Sequence, residues 1–318
     1  MHPCYHGRVP RRPHARRRST DPDAYTADDI SQATLAESIE ITSGLAPPQH
    51  MLAVIDALER TERECIRLIV SMPPGHGKST TLRHALPWLV ARQPDKLILL
   101  ATYGQELSRE GCDESRRVAR EAGIPLAKDS ADEWRTTTRG GVKATSLTGA
   151  ITGFRTKLAI IDDPIKGWNV AQIGENRDKA WHAISKDIFT RIRPISDDAD
   201  SADGSIICVA TRWHEDDPSG RLAKLGWDCI NLPAIKNENT PNEQALWPEF
   251  WSLDRLRRIR DDMIRTDGAA AWAALYQGNP SSDEGSGFGP ATRAHMPLAA
   301  ARELGLHVDS IHADAVSA

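Results

Sequence analysis

Paired cysteines, long apolar runs and a surplus of either charge are what this chain lacks. Its five cysteines (Cys4, Cys65, Cys112, Cys208 and Cys229) are scattered, with no Cys-x-x-Cys pair. That pattern argues against disulfides and zinc ligands and reads as reduced thiols of a cytosolic protein. No apolar stretch approaches the roughly 20 residues needed to span a bilayer, and the N-terminus lacks the apolar core of a signal peptide. No membrane partner is therefore expected. The formal net charge of −4 predicts no overall affinity for nucleic acid, so any DNA-binding surface must be local. The 318 residues, 40% hydrophobic and 26% charged, suffice for one large domain or two ordinary ones with a sizeable core.

The chain is organised around Met72-Pro73-Pro74-Gly75-His76-Gly77-Lys78-Ser79-Thr80. This stretch lies between the apolar run Ile66-Arg67-Leu68-Ile69-Val70 and a helix expected to begin near Lys78. Strand, glycine turn and helix form the setting in which a Gly-Lys-Ser turn holds nucleotide phosphates. Backbone N–H groups of the turn point at the anion, and the helix dipole favours negative charge there. Pro74, Gly75, His76, Gly77, Lys78, Ser79 and Thr80 are thus the expected nucleotide cradle. Lys78 would reach the β- and γ-phosphates of ATP, and the Ser79 hydroxyl would ligate Mg²⁺. The motif asks for glycine at position 72, where this chain has Met72.

Lys157-Leu158-Ala159-Ile160-Ile161-Asp162-Asp163-Pro164 is the second decisive stretch. An apolar strand ends in two carboxylates, and a proline stops it. Asp162 is expected to hold the Mg²⁺ shell and Asp163 to polarise the attacking water. A further apolar run at residues 205–211 ends at Thr211-Arg212. A polar residue at the tip of a strand beside the acid-bearing one can sense the γ-phosphate. Thr211 is that candidate, with Arg212 carrying the signal outward. Gln49, just upstream of the first strand, is the candidate reader of the adenine edge. Glu215-Asp216-Asp217 suits the first turn of a helix near Pro218 better than a metal site.

Four regions follow. Residues 1–45 hold a basic arm with Arg8, Arg11, Arg12, Arg16, Arg17 and Arg18, then a leading helix. The arm buries too little apolar surface to fold. Residues 46–240 form the core, with another buried strand at 96–102 and a charged helix at 105–121. Residues 129–141 read as loop, 144–147 as a short strand, and 175–193 as one long helix. Residues 241–280, with Trp247, Trp251, Trp272 and Tyr276, form a small helical lid. Residues 281–318 are a Ser/Gly/Asp linker and short tail.

Several phrases occur together in one order: Pro73-Pro74-Gly75-His76-Gly77-Lys78-Ser79, Ala101-Thr102-Tyr103-Gly104, Thr152-Gly153-Phe154-Arg155, Ile160-Ile161-Asp162-Asp163-Pro164, Thr211-Arg212-Trp213-His214-Glu215-Asp216-Asp217 and Ala274-Leu275-Tyr276-Gln277-Gly278-Asn279-Pro280. By its phosphate loop and acids the chain resembles the additional-strand (RecA-like) P-loop ATPases. By the ordered phrases, over about residues 47–288, it resembles the large terminase subunit of tailed bacteriophages. The resemblance implies an α/β fold, a mostly parallel sheet flanked by helices. It implies a Mg²⁺-dependent ATPase driving double-stranded DNA through a portal protein into a procapsid. A homo-oligomeric ring, a small terminase subunit and the bacterial host cytoplasm come with it.

The family also carries a nuclease domain after the linker. Residues 289–318 are far shorter than a domain of roughly 100–150 residues, so nuclease activity is not expected of this chain. Many terminases have an arginine in the phosphate loop where this chain has Gly75. A catalytic arginine would then come from a neighbouring subunit, with Arg155 the first candidate and Arg139 the second. Two other readings stay open: a generic helicase or translocase, and a prophage remnant that binds nucleotide without turnover.

Overall fold

The computed structural model describes residues 25–149, 154–195 and 203–280. The basic arm at 1–20, Thr152 and Gly153, most of the acidic loop after Ile195, and the linker and tail from Ser281 lie outside the described residues.

Three helices lead: α1 (Ala27–Gln32), α2 (Leu35–Ser43) and α3 (Leu52–Arg60). Thr26 and Thr34 open the first two with reciprocal capping boxes, each threonine paired with an acid three residues on. The core alternates strand and helix: β1 (Arg67–Ser71), α4 (Lys78–Arg92), β2 (Leu97–Thr102) and α5 (Gln105–Glu121). Then come β3 (Leu126–Ser130), β4 (Glu133–Thr136), β5 (Gly141–Ser146) and β6 (Leu158–Asp162). Helices α6 (Trp168–Gln172) and α7 (Gly174–His182) lead to β7 (Ser205–Ala210), α8 (Pro218–Lys224) and β8 (Asp228–Asn231). A two-stranded ribbon, β9 (Ile235–Lys236) and β10 (Gln244–Ala245), precedes α9 (Leu253–Asp267) and α10 (Ala269–Leu275).

Eight strands form one sheet in the order β3-β4-β5-β2-β6-β7-β1-β8. From β5 to β8 every pairing is parallel. The continuous apolar runs explain this, since a strand covered on both faces must be apolar at every position. Alternate residues divide between two cores. Leu68, Val70, Ile98, Leu100, Leu158, Ile160, Ile207 and Val209 face one, packed against α2 to α5. Ile69, Leu99, Ala101, Ala159, Ile161, Ile206 and Cys208 face the other, with Ala180, Ile184, Ile188 and Leu222. The fold is the expected one: a mostly parallel sheet flanked by helices, with β7 inserted between the phosphate-loop strand β1 and the acid-bearing strand β6.

Two local expectations are corrected. Residues 129–141 are not loop: β3, β4 and β5 form an antiparallel meander at the sheet edge. Trp134 anchors it, fully buried, its indole N–H donating to the Ser115 hydroxyl at 3.0 Å. The edge strand β3 is mostly exposed, and that polar face hides a strand while discouraging edge-to-edge pairing. Residues 175–193 are not one regular helix either. The run passes from α7 into a π-helical turn over Ala183–Ile188 and a 3₁₀ turn over Phe189–Arg191.

The ribbon, α9 and α10 enclose a small core of their own, with Ala234, Ile235, Leu256 and Trp272 at its centre. Trp272 and Tyr276 stack there at 4.6 Å. Among the described residues, no helix is long and apolar enough to cross a membrane.

Candidate active site

Parallel strands of one sheet deliver their C-terminal ends to a common edge, where Ser71, Asp162 and Ala210 sit. The chain leaves β1 through Met72, whose N–H still bonds the Ala210 carbonyl at 3.2 Å. Met72 is thus a strand extension, with its side chain buried in the core. It has no positive φ, so glycine is not required there. The positive φ values fall at Gly75 (73°) and Gly77 (89°), which turn the chain and start α4 at Lys78.

The outward side of this turn is fully bonded. The Pro74 carbonyl accepts from His76 Nδ1 at 2.9 Å, and the His76 carbonyl accepts from His50 Nε2 at 2.9 Å. Between them, the Gly75 carbonyl accepts from the Trp251 indole N–H at 3.0 Å. Trp251 also stacks on the His76 ring at 5.4 Å and 9°, and Trp247 lies 5.5 Å from the His50 ring. Three consecutive carbonyls are thus held by ring N–H donors. No backbone N–H from Gly75 to Thr80 has an acceptor among the described residues. Such a row of free N–H groups at a helix N-terminus is an anion cradle. Burial pushes His76 down to about 4 and also lowers His50, so both rings are neutral near pH 7 and bring no charge to the loop.

The side chains converge as the motifs imply. Lys78 Nζ sits 2.6 Å from the Thr211 hydroxyl and 3.0 Å from Asp163 Oδ1. The Thr211 N–H donates to the same Asp163 oxygen at 3.0 Å. Asp163 itself holds a left-handed backbone conformation with φ 47°, a strained geometry at a strand tip of the sort found at functional sites. The Ser79 hydroxyl donates to Asp162 Oδ2 at 2.9 Å. Burial, and then the charge on Asp163, raise Asp162 to about 6. Its second oxygen, Oδ1, is buried with no partner. A hydroxyl beside a buried, half-satisfied carboxylate is the donor set a hard divalent cation accepts. Ser79 and Asp162 therefore fit Mg²⁺.

The other expected residues divide. Gln49 is exposed in the short turn ahead of α3. Its neighbours reach the loop, since His50 bonds His76 and the Pro48 ring lies against Gly77. Arg212 is pinned, its Nε donating to both oxygens of Asp217 at 3.1 and 3.0 Å. Asp217 is the N-cap of α8, accepting from the Gly220 N–H. Arg212 therefore links the tip of β7 to that helix. Arg155 is not brought to the loop of its own chain. It precedes β6 while Asp162 ends it, and a five-residue strand is about 17 Å long. Arg139, in the turn between β4 and β5, is tied by the next N–H to Pro94 ahead of β2, which is the same far end. Sequence reasoning missed His50, Trp247 and Trp251. Trp247 and Trp251 were assigned to packing, with no partner named.

No protein-family model matches the chain, and no curated protein matches it. Among solved structures it is similar to the large terminase of bacteriophage HK97, with TM-score 0.47 and 14% identity over 74% of this chain and 50% of that one. It is also similar to the large terminase ATPase domain of Thermus phage P74-26, with TM-score 0.47 and 12% identity over 76% of this chain and 97% of that one. A further likeness is S. cerevisiae dbp5 bound to gle1 and ip6, with TM-score 0.40 and 12% identity over 65% and 52%. The chain spans about half the length of the HK97 protein.

Proposed function

We propose that this chain is the ATPase part of a large terminase subunit: an ATP-hydrolysing motor that drives double-stranded DNA through a portal into a procapsid. The observation that carries the hydrolase reading is the convergence of Lys78, Ser79, Asp162, Asp163 and Thr211 on a loop of free N–H groups. The packaging half is supported by the ordered sequence phrases shared with terminases.

In this reading the Lys78–Asp163 ion pair is a resting contact. Lys78 turns to the β- and γ-phosphates when ATP enters the loop. Asp163, released, orients the attacking water and accepts its proton. Ser79 and Asp162 would hold Mg²⁺, which would supply positive charge against the phosphates. Thr211, no longer bonded to Lys78, reports the γ-phosphate, and the Arg212–Asp217 link passes its movement to α8. Gln49 reads the adenine edge. The remaining positive charge on the transition state comes from an arginine of a neighbouring subunit in a ring, with Arg155 and Arg139 as the candidates. The portal, the procapsid and a small terminase subunit are the partners. Cutting of DNA is no part of the proposal.

The test is Mg²⁺-dependent ATP turnover, alone and with portal and DNA. Turnover that is lost in Lys78→Ala and in Asp162→Ala supports the reading. Wild-type turnover no higher than that of Lys78→Ala, with portal and DNA present, overturns it.

A further inference from the structure

Residues 247–251 leave one aromatic ring exposed beside the phosphate loop. Trp247 and Phe250 stack at 4.9 Å and 22°, and Phe250 meets Trp251 edge-on at 5.8 Å and 66°. Backbone bonds fix this ladder, since the N–H groups of Phe250 and Trp251 both donate to the Trp247 carbonyl, at 3.2 and 2.8 Å. It rests on the loop at Gly75 and Gly77, where φ is positive. A Cβ on Gly75 would meet the Trp251 ring at 3.0 Å, and one on Gly77 would meet the Trp247 ring at 3.8 Å and the Pro48 ring at 4.0 Å. Trp247 and Trp251 are half-buried by these contacts, whereas Phe250 is 49% exposed.

A single exposed apolar side chain is ordinary on a protein surface. The place of this one is not. Phe250 takes no part in the small core around Leu256 and Trp272. It is stacked on the ring that touches Gly77, the residue from which α4 starts at Lys78. The turn that carries Pro48 and Gln49 reaches the same glycine, with Gln49 exposed. The Arg255 guanidinium lies 4.1 Å from the Trp251 ring centroid, and it makes no hydrogen bond or ion pair among the described residues. Lys236 and Glu249 add one charge of each sign near His50. An open aromatic face, an exposed amide and a free guanidinium thus surround one anion cradle. A few polar groups beside apolar and aromatic walls are what a small-molecule site consists of. A nucleotide matches this set, because its flat base is tethered to the phosphates that the loop accepts.

We propose that Phe250 is the stacking platform for the purine base of the nucleotide whose phosphates occupy the loop, with Trp247 as the ring beneath it. The inference rests on the nucleotide-binding reading of that loop and adds the residue that holds the base. Aromatic faces hold bases in offset stacks, through dispersion and the removal of apolar area from water. Every base has a π-face, so Phe250 supplies affinity for a nucleoside without choosing between adenine and guanine. That choice falls to a polar group such as Gln49. Phe250 binds and takes no part in hydrolysis.

The test is isothermal titration calorimetry of the full chain, in Mg²⁺, with the β,γ-imido analogues of ATP and GTP and with inorganic triphosphate, which has no base. Phe250→Ala is expected to weaken both analogues by about 10-fold and to leave the binding of inorganic triphosphate unchanged, which also reports an intact loop. Phe250→Tyr, which keeps the ring, stays within about 2-fold of wild type. Equal analogue affinity in wild type and Phe250→Ala overturns the assignment and leaves the loop as a nucleotide site. An equal loss for inorganic triphosphate in Phe250→Ala also overturns it, because Phe250 then shapes the loop and not the base site. So does a wild type that binds inorganic triphosphate as tightly as the analogues. A wild type that binds none of these probes overturns the nucleotide reading together with the inference.

Discussion

The two ends of one parallel sheet carry opposite electrostatic designs. At the C-terminal ends of the strands each charge has a partner: Lys78 with Asp163 and Thr211, Ser79 with Asp162. Lys78, Asp162 and Thr211 are buried, Ser79 and Asp163 are half-buried, and the free polarity is backbone N–H. At the N-terminal ends Arg135, Arg155 and Arg191 line an open pocket of about 430 Å³ with Leu97 and Phe154. The first arrangement suits chemistry, because buried, paired groups can exchange partners when a substrate arrives and are worth more in a water-poor site.

This contrast breaks first at Lys78. Lys78→Ala is expected to lower ATP turnover by at least about 10²-fold, the usual cost of one preorganised donor to a developing charge. It also strands Asp163 without its cation. Asp162→Asn should lose Mg²⁺-dependent turnover to a similar extent. In metal-free buffer the same change should stabilise the fold by about 1–3 kcal/mol, because it removes a buried carboxylate whose pKa is raised to about 6. Thermal melting with and without Mg²⁺ checks that pair of opposite effects.

The outer brace of the loop is the next largest. Trp251→Ala deletes both the donor to Gly75 and the stack on His76, and nucleotide affinity should fall about 10-fold, with a loss of about 3 kcal/mol in stability. Trp251→Phe keeps a ring and loses only the hydrogen bond, so about 1 kcal/mol is expected. Titration of a fluorescent ATP analogue separates the two. The smallest effect is a slope with pH. His76 is held near 4 when folded and is ordinary, near 6.5, when unfolded. Between those values the unfolded chain takes up a proton the folded chain refuses, so stability is present above pH 6.5 and falls as pH drops towards 4. Urea midpoints across that window should show the fall, and His76→Asn should flatten it in part, with His50 contributing the rest in the same direction.

Much of the site was legible because its residues are local to their strands. An apolar run that ends in Asp162-Asp163, or in Thr211, puts those side chains at a strand tip whatever the rest of the chain does. The phosphate loop is contiguous, and Met72 proved a strand extension. Trp251 was not legible, since its bond to Gly75 spans 176 residues, and nothing local distinguishes a tryptophan that packs from one that donates. The β3–β4 meander was hidden because a solvent-facing edge strand is polar. Arg155 is the instructive case. It stands before β6 and Asp162 stands at its end, so the strand itself keeps them apart. Chain order within a parallel strand already says which end of the sheet a residue serves.

Steady-state ATP hydrolysis with Mg²⁺, comparing wild type with Lys78→Ala in the presence of portal and duplex DNA, tests the central claim most directly. The predicted result is turnover by the wild type that falls at least about 10²-fold in the variant. Equal rates for the two proteins would contradict it.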